Sequence, residues 1–135
     1  MIYNHQPGLE DRRMRREQLI ERTRQFALRI IRLAASLPNN RAADVIGRQL
    51  LRSGISFVAN YREATRVSTK KHFASILATA LREADETLYW LQLLQDSELV
   101  RRELLTDLIK ESDEFAAIFA SSVKQQHFAT KRKTK

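Results

Sequence analysis

The sequence predicts an all-α protein, an up-down-up-down antiparallel four-helix bundle. Apolar residues recur at intervals of three and four along four long runs, which places them on one face of a helix in each run. Three short breaks separate the runs, at Pro38-Asn39-Asn40, around Ser68 and at Asp96-Ser97, and short connections make neighbouring helices antiparallel. Strand signals and internal repeats are lacking. With 135 residues and 43% hydrophobic content, the chain suffices for one domain with a substantial core.

Residues 1–11 contain Pro7-Gly8 and no periodicity and read as a mobile N-terminal arm. The bundle is expected over residues 12–126. Helix one runs from about Arg12 to Ser36, with the apolar positions Leu19, Phe26, Ile30, Leu33 and Leu37 recurring at helical spacing and Ile20, Ala27 and Ala34 widening the stripe. Pro38 disfavours helical geometry in the residue before it, and the side chain of Asn40 is suited to cap the next helix.

Helix two is expected from about Arg41 to Arg66, with Ala43, Ile46, Leu50, Phe57, Val58 and Tyr61 on its apolar face. Gly47 and Gly54 fall on that same face, and each costs about 1 kcal/mol relative to alanine in mid-helix. Close approach of another helix is the simplest reason to keep them; tolerated weakness is the alternative. Ser68 is the candidate N-cap of helix three, which runs from Thr69 to about Gln95 on Phe73, Ile76, Leu77, Ala80, Ala84, Leu88, Leu91 and Leu94. Helix four is expected from about Glu98 to Lys124 on Leu104, Leu105, Leu108, Ile109, Phe115, Phe119 and Val123. Residues 127–135 form a basic tail whose end, Thr130 to Lys135, has no apolar residue to pack and is expected to be disordered when free.

Charge is divided unevenly. Residues 1–71 carry 15 Lys/Arg against 6 Asp/Glu, residues 72–124 carry 5 against 10, and the last eleven residues add four cations, for a net +8. Such asymmetry points to an anionic partner, nucleic acid above all, or to contact between basic and acidic surfaces of neighbouring copies. With no cysteine there is neither a disulfide framework nor a thiolate metal site. The N-terminal segment lacks the apolar stretch of a signal peptide, and no apolar run approaches the roughly 20 residues that span a bilayer. A cytoplasmic protein without membrane contact is the expectation.

Catalytic signals are poor. His5, His72 and His127 lack ligand spacing, no Gly-rich phosphate loop occurs, and Glu83, Asp85 and Glu86 have no Glu-x-x-His partner of the kind di-iron bundles use. Neither a catalytic residue nor a metal site nor a cofactor is expected.

The candidate nucleic-acid residues are the arginines Arg12, Arg13, Arg15, Arg16, Arg24, Arg29 and Arg32 of helix one, Arg48 and Arg52 of helix two, and Lys131, Arg132, Lys133 and Lys135 of the tail. Glu17 and Glu21 are too few to neutralise helix one, and the planar guanidinium fork suits phosphate. The competing reading is a solvated face with ion pairs to the acidic half of a neighbouring copy; for the tail it is a merely solubilising end. The aromatics recur at core spacing rather than as a stacking platform, with Tyr89 and Trp90 less settled. Gln49, Ser53, Ser56, Asn60 and Glu63 form a polar, almost uncharged stripe on helix two. It is read as a hydrogen-bonded contact with another helix or subunit, or as an ordinary polar flank. Leu28 and Ile31 lie beyond the main stripe of helix one and offer apolar surface for association.

The run Gln49-Leu50-Leu51-Arg52-Ser53-Gly54, with Ala59-Asn60-Tyr61-Arg62-Glu63-Ala64, Glu83-Ala84-Asp85-Glu86-Thr87-Leu88 and the turn at Leu37-Pro38, resembles the small four-helix-bundle proteins encoded in intervening sequences of bacterial 23S ribosomal RNA genes. That family has no established reaction. The resemblance implies a ring-shaped homo-oligomer, typically a pentamer, and a more distant kinship with accessory proteins of diversity-generating retroelements. The expected function is therefore a non-enzymatic, homo-oligomeric bundle that binds RNA or other nucleic acid through a basic surface. The alternative is a protein-interaction scaffold or an accessory subunit, for example of a reverse transcriptase.

Overall fold

Four helices alternate in direction along the chain: α1 Leu9–Ala35, α2 Arg41–Ala64, α3 Lys70–Asp96 and α4 Thr106–Lys133, the last preceded by a short 3-10 turn at Arg102–Leu104. This computed structural model describes the backbone of residues 8–133 and the side chains of residues 8–125. The order of contact is sequential, α1 on α2, α2 on α3 and α3 on α4, making an up-down-up-down bundle. Contacting pairs run in opposite senses along neighbouring helices. Between α2 and α1 with its following turn the pairs are Leu37 with Gly47, Ile30 with Gly54 and Phe26 with Phe57; across α2 and α3 they are Ser53 with Thr87 and Asn60 with Glu83. Among the described residues no helix is long and apolar enough to cross a membrane.

The core has two halves. Around the C-terminal half of α1, Ile30 and Leu33 join Leu50, Leu91, Leu94, Leu105 and Leu108 in a set of aliphatic layers. Towards the start of α1 the filling is aromatic. Phe26 meets Phe115 edge to face at 5.5 Å, Phe57 lies 6.2 Å from Phe119, and Tyr61 stacks on Phe119 at 5.1 Å. In this half α3 presents Leu77 and the small residues Ala80 and Ala84, all buried, which fits a core already filled by five rings.

Both mid-helix glycines face α1 or the turn that ends it. A β-carbon on Gly54 would stand 3.0 Å from Cγ2 of Ile30, a fully buried, β-branched side chain with little freedom to turn. One on Gly47 would stand 2.9 Å from Cδ1 of Leu37, the far end of a flexible, half-buried side chain. Close approach is thus required at Gly54 and only convenient at Gly47.

Helix ends differ in places from the sequence expectation. α1 starts at Leu9, so Leu9, Glu10 and Asp11 belong to the helix and not to the arm; the two carboxylates in its first turn complement the helix dipole. Asn40 caps α2, its Oδ1 accepting from the Ala43 amide at 2.8 Å. For α3 the cap is Thr69 instead of Ser68, with its Oγ1 accepting from the His72 amide at 3.1 Å. The fourth helix begins at Thr106, eight residues beyond Glu98. Glu98 itself adopts φ 58, which turns the chain, and Leu99 and Val100 then pack back on the core before helix resumes. α4 continues past Lys124 to Lys133.

The two glycines yield opposite expectations. Gly47→Ala should raise the free energy of unfolding, measured in urea, by up to about 1 kcal/mol through helix propensity. Gly54→Ala should lower it by about 1–2 kcal/mol through overpacking against Ile30. Equal effects of the two substitutions would contradict the distinction.

Candidate nucleic-acid interface

Topology, more than helix membership, decides where the positive charge collects. In an alternating bundle the start of α1, the end of α2, the start of α3 and the end of α4 share one end. There the sequence places Arg12, Arg13, Arg15 and Arg16 on α1, Arg62 at the end of α2, Arg66 in the connection that follows, Lys70 and Lys71 at the start of α3, and Lys124 on α4, all exposed. Against these nine cations stand four carboxylates, Glu10, Asp11, Glu17 and Glu63. At the opposite end, residues 32–48 and 96–110 carry six Lys/Arg against five Asp/Glu. One end of the bundle is a basic pole and the other is nearly neutral.

The predicted arginines fall into three environments. Arg29 is engaged at the seam between α1 and α4, where its Nη1 donates to Glu111 at 2.8 Å. Arg22 joins it, its Nε donating to the other Glu111 oxygen at 3.1 Å, its Nη2 bound to Glu114, and its guanidinium 4.7 Å from the centre of the Phe115 ring. The bond to Glu114 raises the Arg22 pKa, burial opposes the rise, and Glu111 adds to it. A second set makes exposed pairs: Arg13 with Glu17 at 3.4 Å, Arg24 with Glu21 at 3.5 Å, Arg48 with Asp44 at 3.1 Å and Arg52 with Glu86 at 3.1 Å. Pairs of this kind are weak and yield readily to a competing anion. Among the described residues Arg15, Arg16 and Arg32 have no carboxylate within 4.0 Å, and Arg12 lines a cleft at the basic pole. The side chains of Lys131, Arg132 and Lys133, and the whole of Lys135, lie outside the described residues.

The candidate set is therefore not brought together as one surface. Arg12, Arg13, Arg15 and Arg16 share the basic pole, whereas Arg32 and Arg48 lie at the opposite end. Arg62, Arg66, Lys70 and Lys71 join the pole although the helix-by-helix reading passed over them. Their signal was present in the sequence, as basic residues on both sides of the break at Thr65–Thr69.

A cleft of about 460 Å³ opens at this pole between the start of α1 and the connection from α2 to α3. Arg12 and Arg16 line it from α1; Thr65, Val67, Ser68 and Thr69 come from the connection, and Lys70 and Phe73 from α3. Beneath the pole, the Tyr61 phenol is pushed above its ordinary pKa by burial, an effect the nearby charge of Arg16 partly opposes.

Two residues of the polar stripe of α2, Ser53 and Asn60, meet α3 of the same chain. Ser53 is fully buried, and Thr87 Oγ1 lies 3.0 Å from its Oγ and 2.8 Å from the Glu83 carbonyl oxygen. Asn60 Nδ2 donates to Glu83 Oε1 at 2.6 Å, while Glu83 Oε2 is buried without a protein partner. Gln49 Oε1 accepts from Arg52 at 3.0 Å. Ser56 is half-buried and Glu63 exposed. On α1, Leu28 is half-buried and Ile31 is 42% exposed. An apolar groove of about 420 Å³ between α1 and α2 is lined by Ile20, Ala27, Ile55, Val58 and Ala59, with Arg24 and Arg62 at its rim.

Comparison with known proteins finds both a family model and solved structures that resemble the chain. The family model described as 23S rRNA-intervening sequence protein matches residues 15–121. The crystal structure of a protein of unknown function from the S23 ribosomal protein family, from Bacteroides thetaiotaomicron, is 37% identical, with a TM-score of 0.72; the match covers 78% of this chain and 97% of that one. No curated protein matches.

Two substitutions test the polar contacts. Asn60→Leu removes the donor to Glu83 and should cost about 1–3 kcal/mol in thermal or urea unfolding, because a largely enclosed carboxylate is left unpaired. Glu111→Gln removes the charge that holds both Arg22 and Arg29, with an expected loss of about 1 kcal/mol, small because water screens the half-exposed arginines. An unchanged melting curve for both variants would show that neither contact matters to the fold.

Proposed function

The chain belongs to the 23S rRNA-intervening sequence protein family, and from that premise we propose that it is a non-enzymatic, homo-oligomeric bundle that binds RNA or other nucleic acid through its basic surface. The observation that carries the reading is the basic pole, with nine exposed cations against four carboxylates, its cations drawn from all four helices. Cations held on rigid helix ends release counterions when they meet phosphates, which gives affinity without sequence readout. The family's genomic setting within ribosomal RNA genes makes RNA the first choice of ligand. A ring-shaped pentamer follows from the same kinship, and it would multiply the number of poles presented to one strand.

A second reading draws on the apolar groove between α1 and α2, where Ile55 is 43% exposed beside Ala27 and Ala59. Together with the kinship to accessory proteins of diversity-generating retroelements, it favours a scaffold or accessory subunit, for example of a reverse transcriptase. In that case the groove receives protein, and the positive charge serves contact with a partner or with another copy.

Titrating labelled RNA across a salt series separates the two. Affinity should fall steeply with salt, and replacing Arg15, Arg16, Lys70 and Lys71 by alanine should flatten the slope of log K against log salt by roughly one for each phosphate no longer neutralised. Replacing Arg41, Arg101 and Arg102 at the opposite end should leave the slope unchanged. Absence of binding at low salt would favour the scaffold.

A further inference from the structure

The cleft at the basic pole differs from a flat basic surface in having an aromatic wall. We infer that it receives one unstacked nucleotide of an unpaired strand, with the base against Phe73 and Val67 and the flanking phosphates against Arg16 and Lys70. The inference rests on the nucleic-acid reading above and narrows its ligand from any polyanion to single-stranded nucleic acid.

Three observations support it. The cleft volume of about 460 Å³ lies within the range of roughly 300–1,000 Å³ typical of small-molecule sites. Its cations are on opposite sides, Arg16 on α1 and Lys70 at the start of α3, while Phe73 is half-buried on the wall and is packed from behind by the core. The linking segment adds the hydroxyls of Thr65 and Ser68; Thr65 Oγ1 already donates to the Arg62 carbonyl at 2.6 Å, so an oxygen lone pair remains to accept from a base edge. A duplex keeps its base faces inside the stack and offers this cleft only phosphates. An unpaired strand can place a base face against a ring while its phosphates meet the cations.

The test uses the full-length chain and two probes of equal phosphate number, a labelled oligouridine and a blunt-ended RNA duplex with no unpaired nucleotide. The wild-type protein should prefer the oligouridine. Phe73→Leu, which keeps apolar bulk but removes the ring, should weaken oligouridine binding about tenfold and leave duplex binding unaffected. Phe73→Tyr should retain both. Photocrosslinking of an iodouridine-substituted strand should label the peptide that contains Phe73. Equal affinity for both probes with no effect of Phe73→Leu would overturn the inference while leaving general nucleic-acid binding intact, and crosslinks confined to peptides remote from Val67–Phe73 would do the same. Failure to bind either probe at low salt would instead remove the reading on which the inference rests.

Discussion

Everything else in this bundle follows from the shortness of two links. Five residues join α1 to α2 and five join α2 to α3. A link of that length reaches at most about 18 Å, whereas the 24 residues of α2 extend about 36 Å. The chain cannot travel back along a helix before starting the next one, so each helix must return alongside its predecessor. The longer connection between α3 and α4 preserves the alternation. It spends its residues on a sharp reversal at Glu98 and on anchoring Leu99 and Val100 to the core.

Alternation has a packing consequence and an electrostatic one. For packing, it sets the aromatic residues of α1, α2 and α4 in one half of the core and most of the buried leucines in the other, and it brings Gly54 against Ile30. The seam between α1 and α4, which no direct chain link closes, is bridged by long side chains. Phe26 reaches Phe115 inside, and Arg22 and Arg29 reach Glu111 near the surface. For electrostatics, the same alternation sums charges that lie far apart in sequence. Arginines of the first helix and lysines of the third become neighbours, while Arg22 and Arg29, farther along α1, are drawn into ion pairs with α4.

This division gives the arginines of α1 two different physical roles. Those facing α4 hold two helices together and are partly withdrawn from water; those at the start of α1 contribute to a field that points into solvent. A field of one sign concentrated at one end steers an anionic chain better than the same charge spread over the surface, and it does so most at low ionic strength. The proposed ligand and the proposed role of Phe73 both depend on this concentration. Membership of the 23S rRNA-intervening sequence protein family accords with such a role but does not by itself specify it.

The sequence alone determined four helices, the capping role of Asn40, the aromatic core positions and the family, because hydrophobic periodicity and local side-chain chemistry are properties of adjacent residues. It placed the start of the fourth helix too early, since nothing local marks Glu98 as the residue that reverses the chain, and it chose Ser68 over Thr69 because either hydroxyl satisfies the same capping rule. Only the tertiary structure decided that Ser53 and Asn60 bond to α3 and that Arg29 is engaged by Glu111. It alone placed Arg62, Arg66, Lys70 and Lys71 at the same end as Arg16. Those relationships depend on which helix ends meet in space, and the distance between two charges in a bundle is set by the alternation of the chain and not by their separation along it.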